Sequence, residues 1–385
     1  MKEKVRNNTI VIILIFLTLI LTICFQKYGM KEYSRYNTET LHYEKAKVVE
    51  VSLEEVEYDE GLGMYLGKQV LQVEMLEGEE KGKTIEVTNY LTNTHSVYAK
   101  LNTQLIITAD RPEELEPYYT VYNYDRALPT AACAVILMLA IFAIGGGKGL
   151  KSIAGLGNSM FIIIYLVLPA VYSGYSPIWM SILCAVLSTA VTLLLLNGQS
   201  KKTIAAILST VAGMFCALLL FMLMSALLHL NGSSSSEAEG LILIQQGTGP
   251  QIKDVLFAGV VISSLGAIMD VAMSIVSALH EVYHHNASLT AKQLFASGIE
   301  IGKDMIGTMT NTLILAFTGS AFVTLLVFIS YQVQFHQLLS SNYLAIEIAQ
   351  GLCGTFGIVL TVPAASAITA VYLTYKDEKS AITIE

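Results

Sequence analysis

Eight apolar runs divide this chain, each close to or above the length that carries a helix across a bilayer. They are Ile10–Phe25, Leu128–Ile144, Ile153–Val171, Pro177–Leu196, Thr203–Leu230, Val255–Leu279, Met305–Ser330 and Leu352–Leu373. A backbone in hydrocarbon finds no water to bond, and runs longer than a barrel strand satisfy it only as helices. The composition agrees. Of the residues 54% are hydrophobic and 14% charged, against about 25% charged in soluble domains.

The charges between the runs predict an orientation. With the N-terminus inside, the inner loops receive Lys2, Lys4, Arg6, Lys148, Lys151, Lys201, Lys202, Lys292, Lys303, Lys376 and Lys379. The short outer loops hold Lys253 alone. This bias predicts eight spans, both termini in the cytoplasm, and a multi-pass protein of the plasma membrane. No small-x-small cleavage site follows the first run, so residues 1–26 read as an uncleaved anchor. Ser233–Ser236 reads as a loop.

Residues 27–127 differ in kind. They carry 19 acidic and 11 basic residues, which accounts for the whole net charge of −8. Lys47–Leu53, Lys68–Leu76, Thr84–Leu91 and Gln104–Ala109 alternate near period two, and residues 77–82 read as a hairpin loop. A small all-β barrel, OB-like or SH3-like, is expected on the extracytoplasmic side. Tyr118, Tyr119, Tyr122 and Tyr124 then lead into the membrane, where an aromatic belt belongs. Residues 128–385 form a seven-span helical domain. Two segments are ambiguous: residues 289–303 read as an interfacial or re-entrant piece, and residues 342–350 as a surface helix or an extension of the last span.

Several function classes drop out. An acidic segment with no basic face is unsuited to nucleic acid. Gly145-Gly-Gly-Lys148-Gly149 lacks the Ser or Thr of a phosphate loop, and no nucleotide fingerprint occurs. The five cysteines all lie in or beside apolar runs, as packing thiols do. No cofactor is expected.

Two polar stripes carry the remaining information. Ser263, Gly266, Asp270, Ser274, Ser277 and Glu281 recur every three or four residues and share one helix face. Glu300, Asp304, Thr308 and Asn311 or Thr312 do the same on the next run. A charge at the centre of a spanning helix costs about 2.5–3.5 kcal/mol on insertion scales, so such groups face a partner, a bundle interior or a wet path. Their oxygens are hard ligands suited to Na⁺, protons or a polar solute. Close helix packing through Gly and Ser explains the first stripe equally well, and helix capping explains Asp304 alone. A third feature, His280-Glu281-Val282-Tyr283-His284, matches the zinc-protease pattern, with His280 and His284 as ligands and Glu281 as base. A helix-end cluster is the simpler account of it.

Ser264-Leu-Gly-Ala-Ile-Met-Asp270-Val-Ala-Met-Ser-Ile and Gly302-Lys-Asp304-Met-Ile-Gly-Thr-Met-Thr-Asn311-Thr-Leu-Ile-Leu-Ala resemble the two signature segments of the YibE/F family. With its outer domain the chain is similar to the YibE type, and Pro363 matches a late proline. Lys303 stands where relatives often have Arg, which keeps the charge and loses the planar fork. The resemblance implies a multi-pass bacterial membrane protein and leaves its activity open.

Three readings follow. The first is a secondary transporter or permease, not an enzyme, moving a small polar or ionic solute past Asp270, Asp304, Asn311, Thr308, Thr312, Glu300 and Ser274. The second is a membrane scaffold or sensor that docks a partner through the outer domain. The third is an intramembrane zinc hydrolase. The expected partners are the lipid bilayer, the solute, and a second copy or a related family member.

Overall fold

The computed structural model describes residues 2–30, 40–112, 115–230 and 252–382. The loop expected at Ser233–Ser236 lies outside them. The chain divides into two units, residues 34–140 and residues 1–33 with 141–385.

The first unit contains a closed barrel of five strands. β1 is Leu41–Asp59, β2 Met64–Met75, β3 Thr84–Leu91, β4 Gln104–Asp110 and β5 Tyr118–Tyr124. Around the barrel the order is β1-β2-β3-β5-β4, with β3 parallel to β5 and the other pairs antiparallel. That is the OB-type order, which settles the choice left open between two small barrels. Four strands lie where period-two alternation put them. The tyrosine stretch, expected as a lead into the membrane, precedes the apolar helix that begins at Ala127 and is itself the fifth strand of the barrel. Ala46, Val48, Leu71, Val73, Val87, Leu105 and Ile107 fill the interior.

The chain between β3 and β4 has no ladder of its own. Two buried amides hold it. Gln69 donates to the carbonyl of Ala99 at 3.0 Å and accepts from its N–H at 3.1 Å. Asn89 donates to the carbonyl of Val97 at 2.7 Å and to the Gln69 side chain at 3.2 Å. This places Val97 and Ala99 in the core while their backbone groups stay bonded, as buried polar groups must. β1 and β2 continue beyond the barrel as a hairpin. On its outer face the Tyr65 and Tyr98 rings stack at 4.2 Å, and Tyr98 donates to Glu54 at 2.9 Å.

The helical elements are α1 Lys2–Cys24, α2 Ala127–Ile162, α3 Leu168–Tyr172, α4 Pro177–Asn197, α5 Lys201–Leu227, α6 Ile252–His285, α7 Ala291–Ser330, α8 Phe335–Leu339 and α9 Asn342–Ile382. Wide π turns follow α1 at Phe25–Gly29 and join α2 to α3 at Ile163–Val167. Among the described residues six helices are long and apolar enough to cross a membrane, which marks a membrane protein. The helix from Ala127 to Tyr172 covers two of the expected spans. It breaks between them at Gly146, whose φ of 52° and ψ of −132° suit a residue without a side chain. With α1, eight helical segments fit the eight runs.

The two ambiguous segments are both continuous helix. Residues 291–303 are the first turns of α7, started by a capping box in which Thr290 and Gln293 bond each other's backbone. Residues 342–350 extend the last span as the start of α9.

α9 packs against α5, α6 and α7. Small residues at these contacts let the backbones approach. A side chain at Gly213 of α5 would collide with Thr361, and one at Gly302 of α7 with Val362. Gly354 leaves room for Leu313 and Ser264. Phe221, Phe257, Ile268, Ile275, Leu279, Leu294 and Ile358 fill the space between these helices. α1 packs on α4, and Thr18 donates to Asn158 of α2 at 3.2 Å inside the bundle.

Candidate functional site

α6 and α7 are joined by a turn at residues 286–290 and pack against each other. Asp270 lies 15 residues before the end of α6 and Asp304 13 residues after the start of α7. At 1.5 Å per residue both stand about 20 Å from the turn. The two carboxylates therefore share one level of the hairpin.

The helical period also orients them. Phe257, Val261, Ser264, Ile268, Val271, Ile275 and Leu279 are the buried side of α6. Gly259, Ser263, Gly266, Asp270, Ser274 and Glu281 lie on the opposite side, exposed, with Ser277 half-buried. On α7 the buried side is Leu294, Gly298, Gly302 and Leu313, pressed on α9 through the two glycines. Glu300, Asp304, Gly307, Thr308, Asn311 and Thr312 are exposed. Each stripe thus lies on one face, as its spacing predicts. Neither face points into the bundle. Asp270, Asp304, Asn311 and Thr312, expected around one cavity, are each exposed in this single chain.

Hydrogen bonding sharpens the picture. Thr308 donates to the carbonyl of Met305 at 3.2 Å, Thr312 to that of Thr308 at 2.9 Å, and Ser263 to that of Val260 at 3.0 Å. These hydroxyls spend their protons on their own helices and turn lone pairs outward. Glu300 pairs with Lys303 at 2.6 Å. Asp270, Asp304 and Asn311 have no hydrogen-bond or ion-pair partner among the described residues. An aspartate in the middle of an apolar helix with nothing to bond is the least satisfied group in this region.

The His280–His284 motif closes α6. His280 is half-buried and His284 exposed. Glu281 pairs with Lys202, whose Nζ lies 2.8 Å from it. Among the described residues no group of three or more His, Cys, Asp or Glu is placed to hold a metal ion.

One further acid interrupts an apolar helix pattern. Glu347 of α9 lines a groove against α7 with Ile314, Phe317, Leu344 and Gly351. The break in an apolar helix pattern was its signal, and its neighbours across the groove come from 30 residues earlier.

The sequence model of the YibE/F-like protein matches residues 133–375. That region begins inside α2 and ends in α9, so α1 and the barrel lie outside it. No curated protein and no solved structure matches the chain. The match covers more than half of the chain and contains both signature helices with Asp270 and Asp304, and the protein belongs to the YibE/F-like family.

Proposed function

We propose that this protein is a secondary transporter of the plasma membrane that moves a small polar or ionic solute along the α6–α7 face. The observation that supports it is the pair of unpartnered carboxylates, Asp270 and Asp304, at one level of two adjacent apolar helices. Asn311, Thr308, Thr312 and Ser274 add neutral oxygens around them, and Glu300 with Lys303 stands toward the turn. Such a set binds Na⁺ or exchanges a proton without a cofactor and without catalysis. The face is open in one chain, so a second copy or a related family member covers it. Gly259, Gly266 and Gly307, with no atom within 4 Å of a built side chain, leave room for that close approach.

In this reading both termini are cytoplasmic and the barrel is extracytoplasmic, from the loop charges. Cysteines placed at Glu60 and Ser340 are then labelled by an impermeant maleimide in intact cells, and one at Ser288 is not. Labelling of Ser288→Cys with protection of the other two would invert the topology.

The transport test uses proteoliposomes with an imposed proton or Na⁺ gradient and a panel of small polar solutes. The wild type is expected to show gradient-dependent uptake of one class. Asp270→Asn and Asp304→Asn keep shape and hydrogen bonding and are expected to lower that uptake at least tenfold while inserting normally. Wild-type uptake that both variants preserve would sink the role of the two acids. No uptake at all would favour the second reading, a scaffold or sensor that docks through its barrel. What favours that reading is that the barrel lies outside the family match and is elaborated by the tyrosine-bearing hairpin.

A further inference from the structure

The groove between α7 and α9 is lined by apolar residues except for Glu347 and Thr318, whose hydroxyl donates to the carbonyl of Ile314 on its own helix at 2.9 Å. Ile314, Phe317 and Leu325 of α7 face Leu344, Ile348 and Leu352 of α9 across a space of about 180 Å³. A dry apolar cavity of about 150 Å³ already admits a benzene ring, so this space takes a ring or a short branched chain. Gly351 lines it, and a Cβ there would stand 3.8 Å from Phe317. The Phe328 and Tyr343 rings of the same two helices meet at 5.9 Å.

Glu347 is the one ionisable residue in the lining. It is half-buried and has no hydrogen-bond or ion-pair partner among the described residues. Glu347 is also too far into α9 to serve the helix end, because the macrodipole acts within the first turn. A carboxylate beside an apolar slot is complementary to one kind of molecule: an apolar body for the slot and a positive charge for the acid.

We infer that the α7–α9 groove is a binding site for hydrophobic organic cations, with Glu347 as the counter-ion. A lipid amine and a free lipophilic drug-like cation share this chemistry. The site is separate from the stripe of Asp270 and Asp304 and stands whether or not those acids carry a solute.

Tetraphenylphosphonium is the probe, with the full-length protein in nanodiscs and empty nanodiscs as blank. Saturable binding at one probe per chain is expected. Glu347→Gln removes only the charge and is expected to weaken binding at least tenfold. Gly351→Leu keeps the acid and fills the slot, with the same expected loss. Tetraphenylborate, of equal size and opposite charge, is expected not to compete. Asp270→Asn and Asp304→Asn are expected to bind like the wild type, even if they abolish uptake. Wild-type affinity in Glu347→Gln, effective competition by tetraphenylborate, or no saturable binding above the blank would each overturn the assignment. Elution of each variant as a single species guards against misfolding. Displacement of the probe by phosphatidylethanolamine but not by phosphatidylglycerol would name the lipid amine as the resident ligand, and no displacement by either would leave the free cation.

Discussion

Replacing Arg111 by Met is expected to destabilise the barrel by about 3–5 kcal/mol, the cost of stranding a buried charge. Arg111 donates to both oxygens of Glu44, at 2.7 and 2.9 Å. The two side chains are only 12% and 8% exposed. Gly78, at a φ of +83°, sits so close to the Glu44 carboxylate that any side chain there would collide with it. The neighbouring carboxylate raises the Arg111 pKa further above its ordinary value. Its contribution is therefore complete below the unfolded guanidinium pKa and is lost only as pH rises through the raised one, beyond any working range. Arg111→Lys keeps the charge, loses the two-pronged bond, and should fall between. Converting both residues to apolar ones of similar volume should restore most of the loss, because no charge is then left buried. Urea-dependent proteolysis of the barrel in the full-length protein measures all three. An Arg111→Met barrel as resistant as the wild type would mean that the pair opens to water.

Gly213→Leu is expected to prevent assembly of the helical region. Overpacking a filled core costs about 1–3 kcal/mol, and more when the obstacle cannot move. Here the obstacles are Thr361, bonded at 2.6 Å to the carbonyl of Gly357, and that carbonyl itself, 3.2 Å from where a Cβ would sit. Gly357 has equally little freedom, since its own Cβ position lies 2.9 Å from Ile268 and 3.0 Å from Ala217. α5 and α9 thus meet backbone to backbone. Gly157→Ala, on α2, is the control. No atom lies within 4 Å of a Cβ there, so it should be neutral or gain up to about 1 kcal/mol of helix propensity. Size-exclusion profiles after mild heating separate the cases. Equal survival of both variants would show that the α5–α9 crossing is loose.

Hydropathy is a local property, which is why the eight apolar segments could be read from composition along the chain. The break at Gly146 was legible for the same reason: a run of glycines and a lysine interrupts the pattern. The ambiguous segments were harder. Residues 289–303 mix glycines with charges, and only the close fit of Gly298 and Gly302 against α9 makes that composition good helix. β1 runs from Leu41 to Asp59, well past the alternating stretch, because its first half pairs with β4 and its second half with β2. β5 was hidden because tyrosines at a membrane entry have a simpler reading, and only Val121 among its residues is fully inside.

The same division holds for the candidate site. Spacing of three and four residues determined by itself that Ser263, Gly266, Asp270 and Ser274 share a face, and that Glu300, Asp304 and Asn311 share another, because helix geometry is the same everywhere. Which way those faces point was not in the spacing. It was decided by α9, which takes Gly298 and Gly302 of α7 and Ile268 of α6 on the opposite sides and turns both stripes outward. The groove at Glu347 likewise exists only where α7 and α9 lie side by side, since its two walls are separate in sequence. A helix carries its own periodicity, whereas the direction of a face and the depth of a groove belong to the neighbours that cover the rest of it.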